Sequence, residues 1–153
     1  MEMNDRAQPA PFRKPSPLEA LFNRALGVLV GLGIGPACMQ LLQVRGRMTG
    51  RVYSTPVNLL QLSGKPYLVA PRGSTQWVRN AEATGEILLK RGRQERNYRL
   101  RPVADAEKPQ ILKLYLDTYK SQVQQYFSVP AGSPAAAFHE IALNYPVFEL
   151  LPA

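Results

Sequence analysis

Arginine and glycine alternate over Arg45-Gly46-Arg47-Met48-Thr49-Gly50-Arg51, and the hydroxyls of Ser54 and Thr55 follow before Pro56. Glycine allows positive φ and a close approach of backbone to ligand. Arginine supplies a rigid fork of donors that matches phosphate or carboxylate. The chemistry open to this set is the capture of an anion at a strand–turn–strand unit. That points to a bound cofactor, not to a metal or a protease nucleophile. One histidine, His139, rules out a multi-histidine metal site. No Gly-x-Ser-x-Gly elbow is present, which argues against a serine hydrolase.

The charge distribution agrees. Residues 45–101 carry twelve Lys/Arg against three Asp/Glu, a local excess of +9 within a chain of net charge +8. All of the excess sits in the central half and calls for an anionic partner. Nucleic acid, an acidic membrane surface and a polyanionic cofactor all satisfy it. The length of 153 residues suits one domain, and a hydrophobic fraction of 45% supports a core. A single cysteine, Cys38, cannot form an internal disulfide and reads as a buried thiol in a reducing compartment.

The elements that must position these residues follow from periodicity. Residues 1–16, rich in proline, read as a disordered arm and not as a signal peptide. Ser16-Pro17 opens an apolar helix over about 18–35, whose apolar part is too short to span a membrane. Gly27, Gly31 and Gly35 on it have the spacing of close helix contacts. Strands are expected at Gln40–Val44, Tyr53–Leu62 and Pro66–Ala70, with a tight turn at Ser63-Gly64-Lys65. A helix over Ser74–Ala83 follows, then a hairpin of Gly85–Lys90 and Gln94–Val103. Asp105–Phe127 reads as a long amphipathic helix, Ser133–Leu143 as a shorter one and Tyr145–Leu151 as a closing strand. Short antiparallel hairpins with few crossover helices predict an α+β, mainly β architecture: a small antiparallel barrel with helices packed outside.

Three motifs in order then bear a resemblance. Gly46-Arg47-x-Thr49-Gly50 through Pro56, the Val69-Ala70-Pro71-Arg72-Gly73 step, and Trp77-x-x-Asn80 resemble the deazaflavin-dependent nitroreductase and quinone reductase family over roughly residues 17–151. The resemblance implies a split β-barrel that binds reduced coenzyme F420 and passes a hydride to a quinone-like or nitro acceptor. It places Gly46, Arg47, Thr49, Gly50 and, through its charge, Arg51 at the phosphate and tail of the cofactor. Ser54, Thr55 and Pro56 would meet the polar edge of the ring system, Arg72 and Gly73 the phosphate, and Trp77 and Asn80 the flank of the site. Tyr115, Tyr119 and Tyr126 would stand over the acceptor as catalytic tyrosines. Met48 and Tyr53 depart from the family pattern, where basic residues are usual.

Plainer readings stand beside these. Lys90, Arg91, Arg93, Arg96 and Arg99 suit a solvated sheet face, and Tyr119 and Tyr126 suit core packing. A second function is a split barrel that binds FMN or a lipophilic ligand without F420 activity. A nucleic-acid-binding barrel ranks third, because Arg91–Arg101 contains Tyr98 alone for base stacking. The partners expected are a small-molecule acceptor and a second copy of the chain in a homodimer. The expected location is the cytoplasm, with a peripheral inner-membrane contact through the N-terminal helix.

Overall fold

The computed structural model describes residues 39–153. The arm at 1–16, the apolar helix at 18–35 and Cys38 lie outside the described residues. Among the described residues there are seven strands, β1 (Met39–Arg45), β2 (Val52–Asn58), β3 (Leu60–Leu62), β4 (Lys65–Val69), β5 (Glu86–Arg91), β6 (Gln94–Pro102) and β7 (Val147–Pro152), and two α-helices, α1 (Gln76–Thr84) and α2 (Lys108–Val123).

The strands form one antiparallel sheet in the order β2-β1-β5-β6-β7-β4-β3. Its two edge strands, β2 and β3, are separated in sequence by Leu59 alone. In a flat sheet seven strands wide, the edges would lie about 29 Å apart at ~4.8 Å per strand. One residue spans nothing like that distance, so the sheet must curl until its edges meet. This is the small antiparallel barrel expected from the hairpin order. The expected single strand over Tyr53–Leu62 is therefore corrected to two. It leaves β1 at Asn58, turns at Leu59 and joins β4 at Leu60.

Alternation along the strands supplies two cores. Leu42, Leu68, Ile87, Leu89 and Leu150, from four strands, form the interior together with Ala81 of α1. Tyr67, Val69 and Val147 point the other way and meet Ile111, Leu112, Tyr115 and Leu116 of α2. The β3–β4 hairpin closes on Ser63 and Gly64 with φ of 54° and 78°. Two successive positive φ values give a primed turn, whose twist matches the flanking strands.

The other sequence expectations differ from the structure mainly in the helices. Asp105–Phe127 is a 3-10 turn, α2 and a second 3-10 turn, with non-helical angles at Tyr119 (φ −113°, ψ 26°) inside α2. Ser133–Leu143 is not a helix but two 3-10 turns, Ala135–Phe138 and Ala142–Asn144. An isolated segment that short is a marginal helix. Here the packing of fully buried Phe138 and Ala142 sets its path.

Two polar clusters brace this frame. Glu149, nearly buried on β7, takes Arg101 Nε and Nη2 at 2.8 and 2.7 Å. That hydrogen bond holds the Arg101 guanidinium above its ordinary pKa. Asp117 on α2 accepts from Lys113 Nζ at 2.9 Å and from the Gly132 amide at 2.7 Å. Those donors, Lys113 foremost, hold its carboxyl below the usual value. A depressed carboxyl stabilises the fold above the unfolded-chain value of about 3.9, and the contribution disappears as pH falls through the lower folded value. The melting-temperature gap between wild type and Asp117→Asn is thus expected to be widest near neutral pH and to close on acidification. A gap independent of pH would show that the carboxylate charge is not the source.

Candidate functional site

The β1–β2 turn is built largely by its own atoms. The Gly46 amide donates to Arg51 O at 2.6 Å, and the Gly50 amide to Gly46 O at 3.0 Å. Gly50 has φ +76°, a conformation that a side chain resists. Thr49 Oγ1 accepts from the Arg51 amide, and Arg45 Nη1 donates to Gly50 O. The turn is pinned to α1 by one residue. Asn80, 4% exposed, accepts at Oδ1 from the Arg47 amide (3.0 Å) and from Arg47 Nη1 (2.8 Å). Arg47 Nη1 also donates to Gln76 Oε1 at 3.1 Å, at the start of α1. Met48 and Val52, 87% and 53% exposed, form an apolar tip on the outside of the turn.

The segment between β4 and α1 turns through a positive-φ glycine into the start of the helix. The Gly73 amide donates to Ala70 O and the Thr75 amide to Gly73 O, with Gly73 at φ +84°. Thr75 is the N-cap of α1, yet its hydroxyl makes no capping bond. Among the described residues, Thr75 Oγ1 is the one buried side-chain polar atom without a partner. The first amides of a helix also lack intrahelical acceptors and carry the positive end of the helix dipole. An orphaned hydroxyl, the amides of the helix start and the adjacent Arg72 make a cradle of the kind that can take a phosphate.

A cavity of about 460 Å³ opens beside this cradle. One wall is β2 from Tyr53 to Asn58. The second is Ala70, Pro71, Arg72, Thr75, Gln76 and Trp77. The third is Tyr115, Gln122, Val123 and Tyr126 from α2 and its C-terminal turn, and Met39 lies at the start of β1. Trp77 is backed by Phe148 at a ring separation of 6.1 Å. Tyr126 is backed by Tyr145, whose hydroxyl donates to Tyr126 O at 2.6 Å and whose ring stacks on Phe127 at 4.4 Å. Burial pushes the Tyr145 phenol above its ordinary pKa, so it stays a neutral donor.

Of the residues singled out from sequence, Ser54, Thr55, Pro56, Arg72, Trp77, Tyr115 and Tyr126 line this cavity. Gly46, Arg47, Thr49, Gly50, Arg51, Gly73 and Asn80 do not. Arg47 approaches it through Gln76, and Gly73 and Asn80 support the loop and the turn. Tyr119 is buried, donates its hydroxyl to Leu59 O at 2.9 Å and packs edge-on against Tyr115 at 5.3 Å. It pins the corner where the strand crosses between sheet edges. Sequence reasoning missed Asn58, Thr75, Gln76 and Gln122. Thr75 carried a readable signal, a helix-capping residue two positions after the Arg72-Gly73 step. Asn58 and Gln122 carried none, being 64 residues apart.

Among the described residues no group of three His, Cys, Asp or Glu could hold a metal, and no helix is long and apolar enough to cross a membrane.

Comparisons with known proteins fit this geometry. No curated protein sequence matches the chain. Among solved structures, a protein described as a domain-swapped dimer shares 18% identity at a TM-score of 0.53, covering 88% of this chain and 99% of its own. Atu2129, of unknown function from Agrobacterium tumefaciens, shares 18% identity at 0.56. It covers 95% of this chain, which spans 58% of it. The F420-H2 dependent reductase FDR-A shares 18% identity at 0.50, covering 74% of this chain and 94% of its own. At these identities the likeness is one of fold, and the fold is the split β-barrel with outer helices. A sequence profile of F420H2-dependent quinone reductases matches residues 18–129, most of the chain and all three cavity walls. On that match, the chain belongs to the F420H2-dependent quinone reductase family.

Proposed function

We propose that this protein is an F420H2-dependent oxidoreductase that reduces a quinone-like or nitro acceptor in the cavity between β2, the 70–77 segment and α2. The observation that carries the reading is the unpartnered, buried Thr75 hydroxyl beside Arg72 at the start of α1. A phosphate there satisfies a hydroxyl that otherwise costs about 1–3 kcal/mol unpaired. The residues therefore fit a phosphorylated cofactor. When bound, reduced F420 supplies a hydride from its deazaflavin ring.

The chain's own residues divide the remaining work. Arg72, Thr75 and the first amides of α1 hold the phosphate. Gln76, braced by Arg47, marks the exit toward the basic β1–β2 turn, where the acidic tail meets Arg47 and Arg51. Trp77 and Pro56 give flat apolar surface to a ring, and Ser54 and Thr55 offer hydroxyls to its polar edge. Tyr115 and Val123 exclude water from the deep side. Tyr126 has a hydroxyl with no partner among the described residues, held in place through its backbone by Tyr145. It is the group placed to give the acceptor oxygen the proton that accompanies the hydride. A homodimer is the assembly we favour, on the likeness to the domain-swapped dimer. The apolar segment before β1 is our choice for any contact with a membrane holding the acceptor.

Titration of the purified protein with F420, followed by the cofactor's fluorescence, tests the reading. Saturable binding is expected, together with oxidation of F420H2 on adding menadione. A protein that carries FMN as purified and leaves F420 fluorescence unchanged would overturn it.

A further inference from the structure

Where β2 and α2 meet on the cavity wall, a pair of carboxamides bridges the two elements. Asn58, the last residue of β2 and 9% exposed, donates Nδ2 to Gln122 Oε1 at 2.9 Å. Both residues line the cavity. This bond fixes the sense of the Gln122 amide. With Oε1 committed to Asn58, the other end presents two N–H donors, and these have no partner among the described residues. Tyr126, four residues further on the same wall, adds an unpartnered O–H. Among the described residues no Asp or Glu lines the cavity. This part of the wall therefore offers donors that select a ligand with accepting oxygens.

We propose that Gln122 is the acceptor-recognition residue of this site, and that Asn58 is its positioning residue. The Gln122 amide donates to a carbonyl oxygen of a quinone, or to the chemically similar oxygen of a nitro group. The Asn58 bond keeps that amide from rotating its own oxygen toward the substrate, where two acceptors would repel. The corner at Leu59 fixes the register. Tyr119 grips Leu59 O one residue beyond Asn58, so the kinked end of α2 and the strand crossing are held together at two adjacent points. The inference rests on the reductase reading for its substrate class, yet it concerns side chains other than Arg72 and Thr75.

Two probes separate recognition of oxygen from simple apolar binding: menadione, and 2-methylnaphthalene, which has the same rings without carbonyls. Binding of each is read from the fluorescence of Trp77, the chain's one tryptophan, in full-length protein saturated with oxidised F420. Gln122→Leu is expected to weaken menadione about tenfold, the effect of losing one well-made hydrogen bond. It should leave 2-methylnaphthalene and F420 affinities unchanged. In turnover, KM for menadione should rise more than kcat falls. Asn58→Leu should reduce the menadione preference in the same direction by a smaller factor, which a purely structural role would not do. Gln122→Asn, with a shorter amide, should restore part of the preference. Equal loss of both probes, or no loss of menadione, overturns the proposal. If F420 itself does not bind, the reductase reading falls separately, and the ratio of the two probes on the cofactor-free chain still decides the role of Gln122.

Discussion

Arg72→Ala is expected to weaken F420 binding by about thirtyfold, or about 2 kcal/mol, the worth of a hydrogen bond to a charged group. Arg72 lines the cavity, stands between Pro71 and the positive-φ Gly73, and leads into the uncapped start of α1. Its fork adds to donors that the backbone already aims at one place. The loss should shrink as salt is raised, because part of it is charge attraction that ions screen. Arg93→Ala, in the exposed β5–β6 turn and outside the cavity lining, removes the same charge and should change affinity little. Equal losses in the two variants would mean that the cofactor responds to overall charge and not to this cradle. Fluorescence titration at two ionic strengths reads both effects.

Phe148→Ala is expected to have the largest effect on stability, about 3–5 kcal/mol by the usual cost of truncating a buried aromatic. At ~2–4 °C per kcal/mol for a chain of this size, that lowers the melting temperature by roughly 10–15 °C. Phe148 is 1% exposed at the middle of the sheet and packs with Ala70 and Val78, so it ties β7 to both ends of the 70–77 segment. Trp77 rests against its ring at 6.1 Å. The variant should therefore also shift and broaden the Trp77 emission, since the indole loses its support at the cavity wall. Thermal unfolding followed by circular dichroism, with the emission spectrum of the folded variant, tests the two consequences independently. A normal melting temperature would show that the neighbouring residues collapse into the space.

Much of this molecule follows from local patterns. Ser63-Gly64-Lys65 reads as a tight hairpin turn between two strands, and the structure turns there with Ser63 and Gly64 at positive φ. The spacing of Trp77, Val78 and Ala81 reads as a helix over Ser74–Ala83, and α1 spans Gln76–Thr84. The order of short hairpins excludes a parallel doubly wound sheet, and the sheet is antiparallel throughout. The alanine-rich Ser133–Leu143 is where local propensity misleads, because the burial of Phe138 and Ala142 sets the backbone. Tyr119 is similar. Helical spacing puts it on a face with Tyr126, whereas the break at Tyr119 turns its hydroxyl to Leu59 O.

The strand and turn pattern, the basic central half and the family were all legible in the chain before any folding. Each of these resides in residues close together along the chain, where backbone preference and charge act without regard to the rest. Folding in three dimensions sets where the strand over 53–62 changes partners, that Tyr119 bonds Leu59 O and stays out of the cavity lining, and that Asn58 meets Gln122 across 64 residues. Those outcomes depend on the closing of the sheet, where edges distant in strand order must meet at Leu59. No local periodicity encodes that meeting. It is fixed by the packing of α2 against the corner, and the wall of the cavity follows from it.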